Sequence, residues 1–301
     1  MFIVFSALIF ALTVFSACES VSQIIVTKDF FNFDNEIIKY KIINPGDPEN
    51  NFPVFNNSSG IIFNLDCENS GYTTAFTKKD DRFELETTLN ILGSYEINGE
   101  ITEVNDEIKT KSAFYSSGSI KLFSSEREGK THSFSPSGKL EFYEFNYNLN
   151  YEGSKANGRL YVKNGDVIKD KALPSFKTSS DFFDNEMMFF GIRAIYELNK
   201  TSNASFKIID VLAENISALS LSAATEKNID ISITRNGNNE DITLGVLDLR
   251  LKINSTYSGS EIKLEFAKDI EIYKRRMISL EQQMPQNLGS LKYVIKSVTE
   301  S

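Results

Sequence analysis

Apolar and polar residues alternate along most of the chain, and two stretches show it most clearly. In Lys139–Tyr151, Tyr143, Phe145, Tyr147, Leu149 and Tyr151 fall on one face, with Glu144, Asn146, Asn148 and Asn150 on the other. In Ile242–Ile253, Leu247, Leu249, Leu251 and Ile253 oppose Asp248, Arg250 and Lys252. A period of two is that of a strand with one face buried and one in water.

The same reading predicts further strands at Gln23–Thr27, Glu36–Ile43, Ile61–Asp66, Tyr72–Thr77, Phe83–Ile97, Glu100–Val104, Ile108–Tyr115, Ser119–Ser124, Thr131–Phe134 and Gly158–Val162. In the last third it predicts Phe206–Leu212, Ile216–Leu221, Asn228–Thr234, Glu261–Phe266, Ile270–Tyr273 and Leu291–Val298. Turn residues punctuate the runs at Asn98-Gly99, Ser117-Gly118, Ser137-Gly138, Asn164-Gly165, Asn236-Gly237 and Ser258-Gly259. Asn-Gly tolerates the positive φ of a tight hairpin turn, and such short connections imply antiparallel neighbours. Asn44–Gly60 reads as a loop, and Gly165–Ser180, with Pro174, as a crossover and the main seam.

One stretch departs from the period. Asp184–Asn199 places Met187, Met188, Ile192, Ile195 and Tyr196 near one side of a helix, with Asp181 or Asp184 to cap its first turn and Gly191 as a weak point. Such an element covers an apolar sheet face. The fold class is therefore mainly β: a large curved antiparallel sheet or barrel-like β structure with one covering helix. The N-terminal β region spans 23–165, and 166–301 adds the helix and a C-terminal β region continuous with it.

The first residues change the picture. Phe2–Phe15 is apolar except for Ser6 and Thr13, too short for an ordinary membrane-spanning helix and placed where a signal peptide belongs. Phe15-Ser16-Ala17-Cys18 resembles a bacterial lipobox. That resemblance implies a signal peptide over 1–17, a lipid such as palmitate on Cys18, and a tether over 18–22 that holds the body at a membrane of the cell envelope, facing the periplasm or the exterior.

Composition narrows the function more than it names it. The 301 residues carry a formal charge of -9, unsuited to a phosphate backbone, so nucleic acid is not an expected partner. The 24 Phe among them argue against a disordered chain. The two cysteines are Cys18 and Cys67. Unless Cys18 is acylated they could pair; otherwise Cys67, between Asp66 and Glu68, is a bystander thiol.

Catalytic and metal motifs are missing from the sequence. His132, the sole histidine, cannot build a zinc site alone and reads as an ordinary surface residue. There is no Gly-x-Ser-x-Gly elbow, phosphate loop or Gly-x-Gly-x-x-Gly fingerprint. Asp66 and Glu68 would share a face on a continuing strand, as glycosidase carboxylates might, and otherwise face solvent, as do Asp80-Asp81 and Glu240-Asp241. Lys274-Arg275-Arg276 reads as a solvated edge or turn, with contact to anionic lipid head groups as the sharper alternative. No catalytic residue, metal or cofactor is expected.

Several segments of the second half resemble the DUF3108 family of exported bacterial proteins. They are Asp184-Asn185-Glu186-Met187-Met188-Phe189-Phe190-Gly191-Ile192-Arg193, the long strand Ile242–Ile253, the charged run Ile270–Pro285, and Gly289-Ser290-Leu291-Lys292-Tyr293-Val294. The resemblance implies a curved, mostly antiparallel periplasmic body and transfers no catalytic residue.

Three readings follow. A non-catalytic envelope lipoprotein would hold an apolar or amphipathic ligand, such as a lipid, in a cavity lined by Tyr143, Phe145, Tyr147, Leu247 and Leu251. An assembly or surface-interaction protein would have a filled interior and an exposed apolar patch or bare sheet edge for another envelope protein. A hydrolase of envelope polymers would bring separated acids together in a cleft.

Overall fold

The computed structural model describes residues 35–115, 121–135, 137–178, 182–183, 187–193, 204–211, 214–222, 224–254, 261–269 and 271–300, and among these it holds nineteen strands, one α-helix and one 3-10 turn at Pro285–Asn287. The first half holds β1 (Glu36–Ile43), β2 (Val54–Asn56), β3 (Ile61–Leu65), β4 (Gly71–Lys78), β5 (Arg82–Ile97), β6 (Glu100–Tyr115), β7 (Lys121–Phe134), β8 (Leu140–Glu152), β9 (Lys155–Asn164), β10 (Val167–Ala172), β11 (Phe176–Lys177) and β12 (Phe182–Phe183). Helix α1 (Met187–Arg193) follows, then β13 (Ala204–Asp210), β14 (Asn215–Leu221), β15 (Thr225–Arg235), β16 (Asn238–Asn254), β17 (Glu261–Ala267), β18 (Met277–Gln283) and β19 (Ser290–Glu300).

All the strands belong to one sheet. From β4 to β10 it is an antiparallel meander, with β1 bridging β4 to β19. From β19 the ladder runs through β18, β17 and β16 to β15, and β15 returns to β19 through the parallel pairs Thr234↔Ser297 and Arg235↔Val298. A closed five-stranded barrel thus stands at one end of a long curved wall. The expected mainly β, barrel-like architecture with a covering helix is what the chain adopts.

Its turns follow the local chemistry. Asn98 and Gly99 have φ of 54° and 81° between β5 and β6, and Asn236 and Gly237 have 48° and 85° between β15 and β16, as two-residue hairpins require. At Gly93, where β5 passes from β4 to β3, a Cβ would lie 2.2 Å from the Asn64 carbonyl oxygen, so no larger residue fits without moving backbone.

Four expectations are corrected. Glu100–Val104 and Ile108–Tyr115 are one strand, because Asp106 at the apparent break finds buried partners. The described part of Ser119–Ser124, from Lys121 on, joins Thr131–Phe134 as β7. Its inward positions include Ser125, Arg127 and Gly129 in place of apolar residues, and a Cβ on Gly129 would press to 2.9 Å against Ile108 and Phe145. Gly165–Ser180 is no simple crossover, since β10 folds back on β9 after a turn at Gly165 (φ 57°) and β11 adds to the same strand. Residues 271–273 form a turn in place of the strand expected at Ile270–Tyr273, because the Asp269 carboxylate accepts the backbone N–H groups of Ile272 and Tyr273. The strand lies just beyond, at β18.

Part of the expected helix lies within the described residues. Met187–Arg193 is helical, and Asp184, Ile195 and Tyr196 lie outside the described residues, as do Asp181 and the strand expected at Gln23–Thr27. Met188, Phe189, Phe190, Gly191 and Ile192 are buried. Phe190 stacks on Phe76 with ring centroids 4.5 Å apart, and Phe76 stacks on Phe83 at 5.1 Å. Phe114 completes the group, 5.8 Å from Phe190. The helix therefore clamps onto β4, β5 and β6 by aromatic contact, within a single apolar core that continues into the barrel.

Candidate functional site

The densest buried chemistry lies where the two ends of the described chain meet. The β1–β19 register sets Glu36 opposite Glu300, and two carboxylates so placed repel unless a cation separates them. Arg276 does so, bonding Glu300 and, at 2.8 Å, the Glu36 Oε2 atom. Arg193 from α1 grips the Glu36 carboxylate through both terminal nitrogens and donates from Nε to the Lys274 carbonyl at 2.6 Å. Lys274 in turn reaches Glu300 at 3.0 Å, and Arg235 reaches it at 3.4 Å. Helix, first strand, β17–β18 turn and last strand are thereby joined by one charge network.

This network overturns the solvated reading of Lys274-Arg275-Arg276. Arg276 is 1% exposed and Arg275 6%, so neither faces water or lipid head groups. Burying a guanidinium is costly unless it is paired, and Arg276 has the carboxylates of Glu36 and Glu300 in contact. Lys274 and Arg275 also take φ of 48° and 50°, a left-handed pair that turns the chain into the cluster. One sequence signal pointed here: Glu36 is in phase with the inward Ile38, Tyr40 and Ile42, and an acid on an inward face requires a partner.

Burial by itself would raise the Glu36 carboxyl, but Arg193 and then Arg276 outweigh it and hold it below the usual carboxylate range. Desolvation likewise opposes ionisation of Glu300, yet Arg276 and Lys274 bring it down to about 2. Both folded values lie below the unfolded value of about 4.3. The stability they contribute is therefore complete above that unfolded value and lost as pH falls through the folded ones. Urea titrations at pH 7, 4 and 3 are expected to give successively lower unfolding midpoints, and a midpoint independent of pH over that range would contradict the network's role.

A second polar cluster surrounds His132, which is not an ordinary surface residue. Its Nδ1 lies 2.7 Å from Asp106 Oδ1, with both side chains little exposed. The other carboxylate oxygen accepts the Thr131 hydroxyl and the His132 backbone N–H, each at 2.9 Å. Asp106 thus continues the β6–β7 ladder beyond its last backbone pair, Glu107↔Lys130. The arrangement orients an imidazole, with the Phe142 ring 5.1 Å away, and holds two strands together.

The other sequence candidates are dispersed. Strand β3 stops at Leu65, and Asp66 caps the following turn, accepting the N–H groups of Glu68 and Asn69. Hydrogen bonding from the Asn69 side chain holds its carboxyl below the usual range. Glu68 instead bonds Asn51. The two acids therefore do not share a strand face. Cys67 is free and buried, with burial and then Asp66 pushing its thiol up to about 11, while Cys18 lies outside the described residues. Among the described residues no group of three His, Cys, Asp or Glu could hold a metal ion, and no helix is long and apolar enough to cross a membrane.

Of the residues proposed to line a cavity, Phe145 and Tyr147 on β8 and Leu247 and Leu251 on β16 are core side chains, at most 4% exposed. Tyr143 is half-buried, its hydroxyl donating to Glu141 at 2.6 Å. The two strands stand far apart in the order of the sheet. A small cavity of about 40 Å³ lies elsewhere, between α1 and β1, lined by Glu36, Tyr40, Tyr72, Phe76, Phe190 and Arg193 among others. Drug-sized ligands occupy roughly 300–1,000 Å³.

Two outward features are larger. The solvent face of β5 to β8 is a concave trough of about 580 Å³, continued by one of about 270 Å³ toward β9. Strand β10 pairs with β9 and, among the described residues, with no second strand, leaving Val167 71% and Ile168 60% exposed. Lys169 and Lys171 on the same strand bond Glu214, in the turn that joins β13 to β14.

No family model matches the chain, so the DUF3108 resemblance rests on the residues quoted above alone, and no curated protein matches it in sequence. Among solved structures, the chain is similar to the crystal structure of a beta-barrel-like protein of domain of unknown function DUF1849 from Brucella abortus. That likeness covers 89% of this chain and 98% of the other at a TM-score of 0.53 and 9% identity, and it is a likeness of fold.

Proposed function

We propose that the protein is a non-catalytic interaction protein of the bacterial cell envelope that docks another envelope component along the open edge at β10. The observation that carries this is the pairing of a packed described interior with an edge strand that leaves two β-branched apolar residues in water. An exposed apolar edge invites a further strand unless it is blunted. Lys169, Asp170 and Lys171 blunt the rest of the strand, so an extended partner segment gains backbone hydrogen bonds and apolar contact together only at its first two residues, Val167 and Ile168. The signal-like N-terminus supports export and attachment through a lipid on Cys18, and mass analysis of the mature N-terminus is expected to find that thiol acylated.

A photo-crosslinking amino acid at position 167 or 168, in cells that express the protein, is expected to trap one discrete adduct. The same probe at Ile101, 67% exposed on another part of the sheet, is expected to trap none. No adduct from β10, or the same adducts from Ile101, would refute the docking edge.

A further inference from the structure

We propose that the trough on the solvent face of β5 to β8 binds a linear polyhydroxylated chain of little net charge, a neutral glycan. The site is separate from the β10 edge and rests on different residues.

Its floor is built by register. One row across the strands is Glu86, Lys111, Glu126 and Asn148; the next is Thr88, Lys109, Glu128 and Asn146, ending at Tyr161 on β9. Strands lie about 4.8 Å apart and alternate residues on one face about 7 Å apart. A single chain lying across the strands therefore meets a fresh pair of polar groups at every strand, with acceptors and donors in alternation.

The chemistry of the lining excludes the other common occupants. Phe145 and Tyr147 are each only 4% exposed, so a lipid or apolar peptide finds little apolar surface to bury against. Arg127 is buried, and among the exposed charges Glu86, Glu126 and Glu128 outnumber Lys109 and Lys111, so a polyanion is repelled and a polycation gains little. Hydroxyl groups donate to carboxylates and accept from ammonium and amide groups, and thus suit each position in both rows.

The trough is also cheap to occupy. Lys111 pairs with Glu86 and Lys109 with Glu107, both at 2.9 Å, but all four side chains are about half exposed. Pairs so well hydrated contribute little to stability, so their partners can be exchanged for ligand hydroxyls without loosening the sheet. Tyr161, at the end of the second row, offers a ring face for stacking on a sugar.

The test titrates the whole protein with chitohexaose, cellohexaose and dextran, using the anionic oligogalacturonate as control. At least one neutral oligosaccharide is expected to bind, with amide shift changes centred on residues 109, 128, 146 and 148. The Asn146→Ala variant is expected to weaken it at least tenfold while its melting temperature stays unchanged, since that side chain is exposed, whereas Asn148 is left in place because its Oδ1 accepts the Arg159 backbone N–H at 3.1 Å. Binding of none of the neutral sugars, tighter binding of oligogalacturonate, or binding untouched by the variant overturns the proposal. Crosslinking at β10 is unaffected by any of these outcomes.

Discussion

Replacing Glu36 by alanine is expected to destabilise the protein by about 3–5 kcal/mol, the cost of stranding a buried charge. The carboxylate is the contact partner of both Arg193 and Arg276. Arg276 keeps Glu300 when Glu36 is lost, whereas Arg193 loses the carboxylate that it grips through both terminal nitrogens and keeps the uncharged Lys274 carbonyl and Phe190 ring. Domains commonly have about 5–15 kcal/mol in hand, so the variant should unfold at much lower urea. Glu36→Gln, which retains the shape and an acceptor oxygen, should lose less. Converting Glu36, Arg193 and Arg276 together to Met should recover part of the loss, because apolar groups of similar volume carry no desolvation cost. An alanine variant within about 1 kcal/mol of the parent, below the 3–5 expected, would show that the network is not what joins the two chain ends.

Phe76→Ala is expected to cost a comparable amount, about 3–5 kcal/mol, by a different route. Phe76 is 2% exposed and is the ring on which Phe83 and Phe190 both stack. Removing it enlarges the 40 Å³ cavity that Phe76 and Phe190 already line and takes away the floor under α1. A short helix depends on tertiary packing, so the amides of Met187–Arg193 should exchange faster than those of β16. The two variants separate on acidification: Phe76→Ala should keep the parent's loss of stability below about pH 4.3, whereas Glu36→Ala should lose part of it. Equal protection of α1 and β16 in Phe76→Ala would mean that the aromatic clamp is not what seats the helix.

Much of the architecture was legible because it is local. Strand β1 follows the alternation of Glu36–Ile43 to the residue, and the Asn98-Gly99 and Asn236-Gly237 hairpins follow from what positive φ demands. Where alternation failed, polar residues sat inside. Ser125, Arg127 and Gly129 concealed the middle of β7, and Asp106 split β6 in two. The trough was half legible: Asn146 and Asn148 were read as the wet face of β8, but their row partners on β5, β6 and β7 follow only from register.

The sequence by itself determined which face of β8 and of β16 is oily, where the tight turns fall, and that a helix interrupts the strands. These depend on neighbours within a few positions, through side-chain period and backbone sterics. Only the tertiary structure decided that five strands close into a barrel, that Arg276 is buried and that β10 is an edge. Arg276 meets Glu36 across 240 positions, and the barrel closes through two residue pairs. No local pattern encodes such partners, because a charge reads as a surface residue until the fold brings its counter-ion within reach.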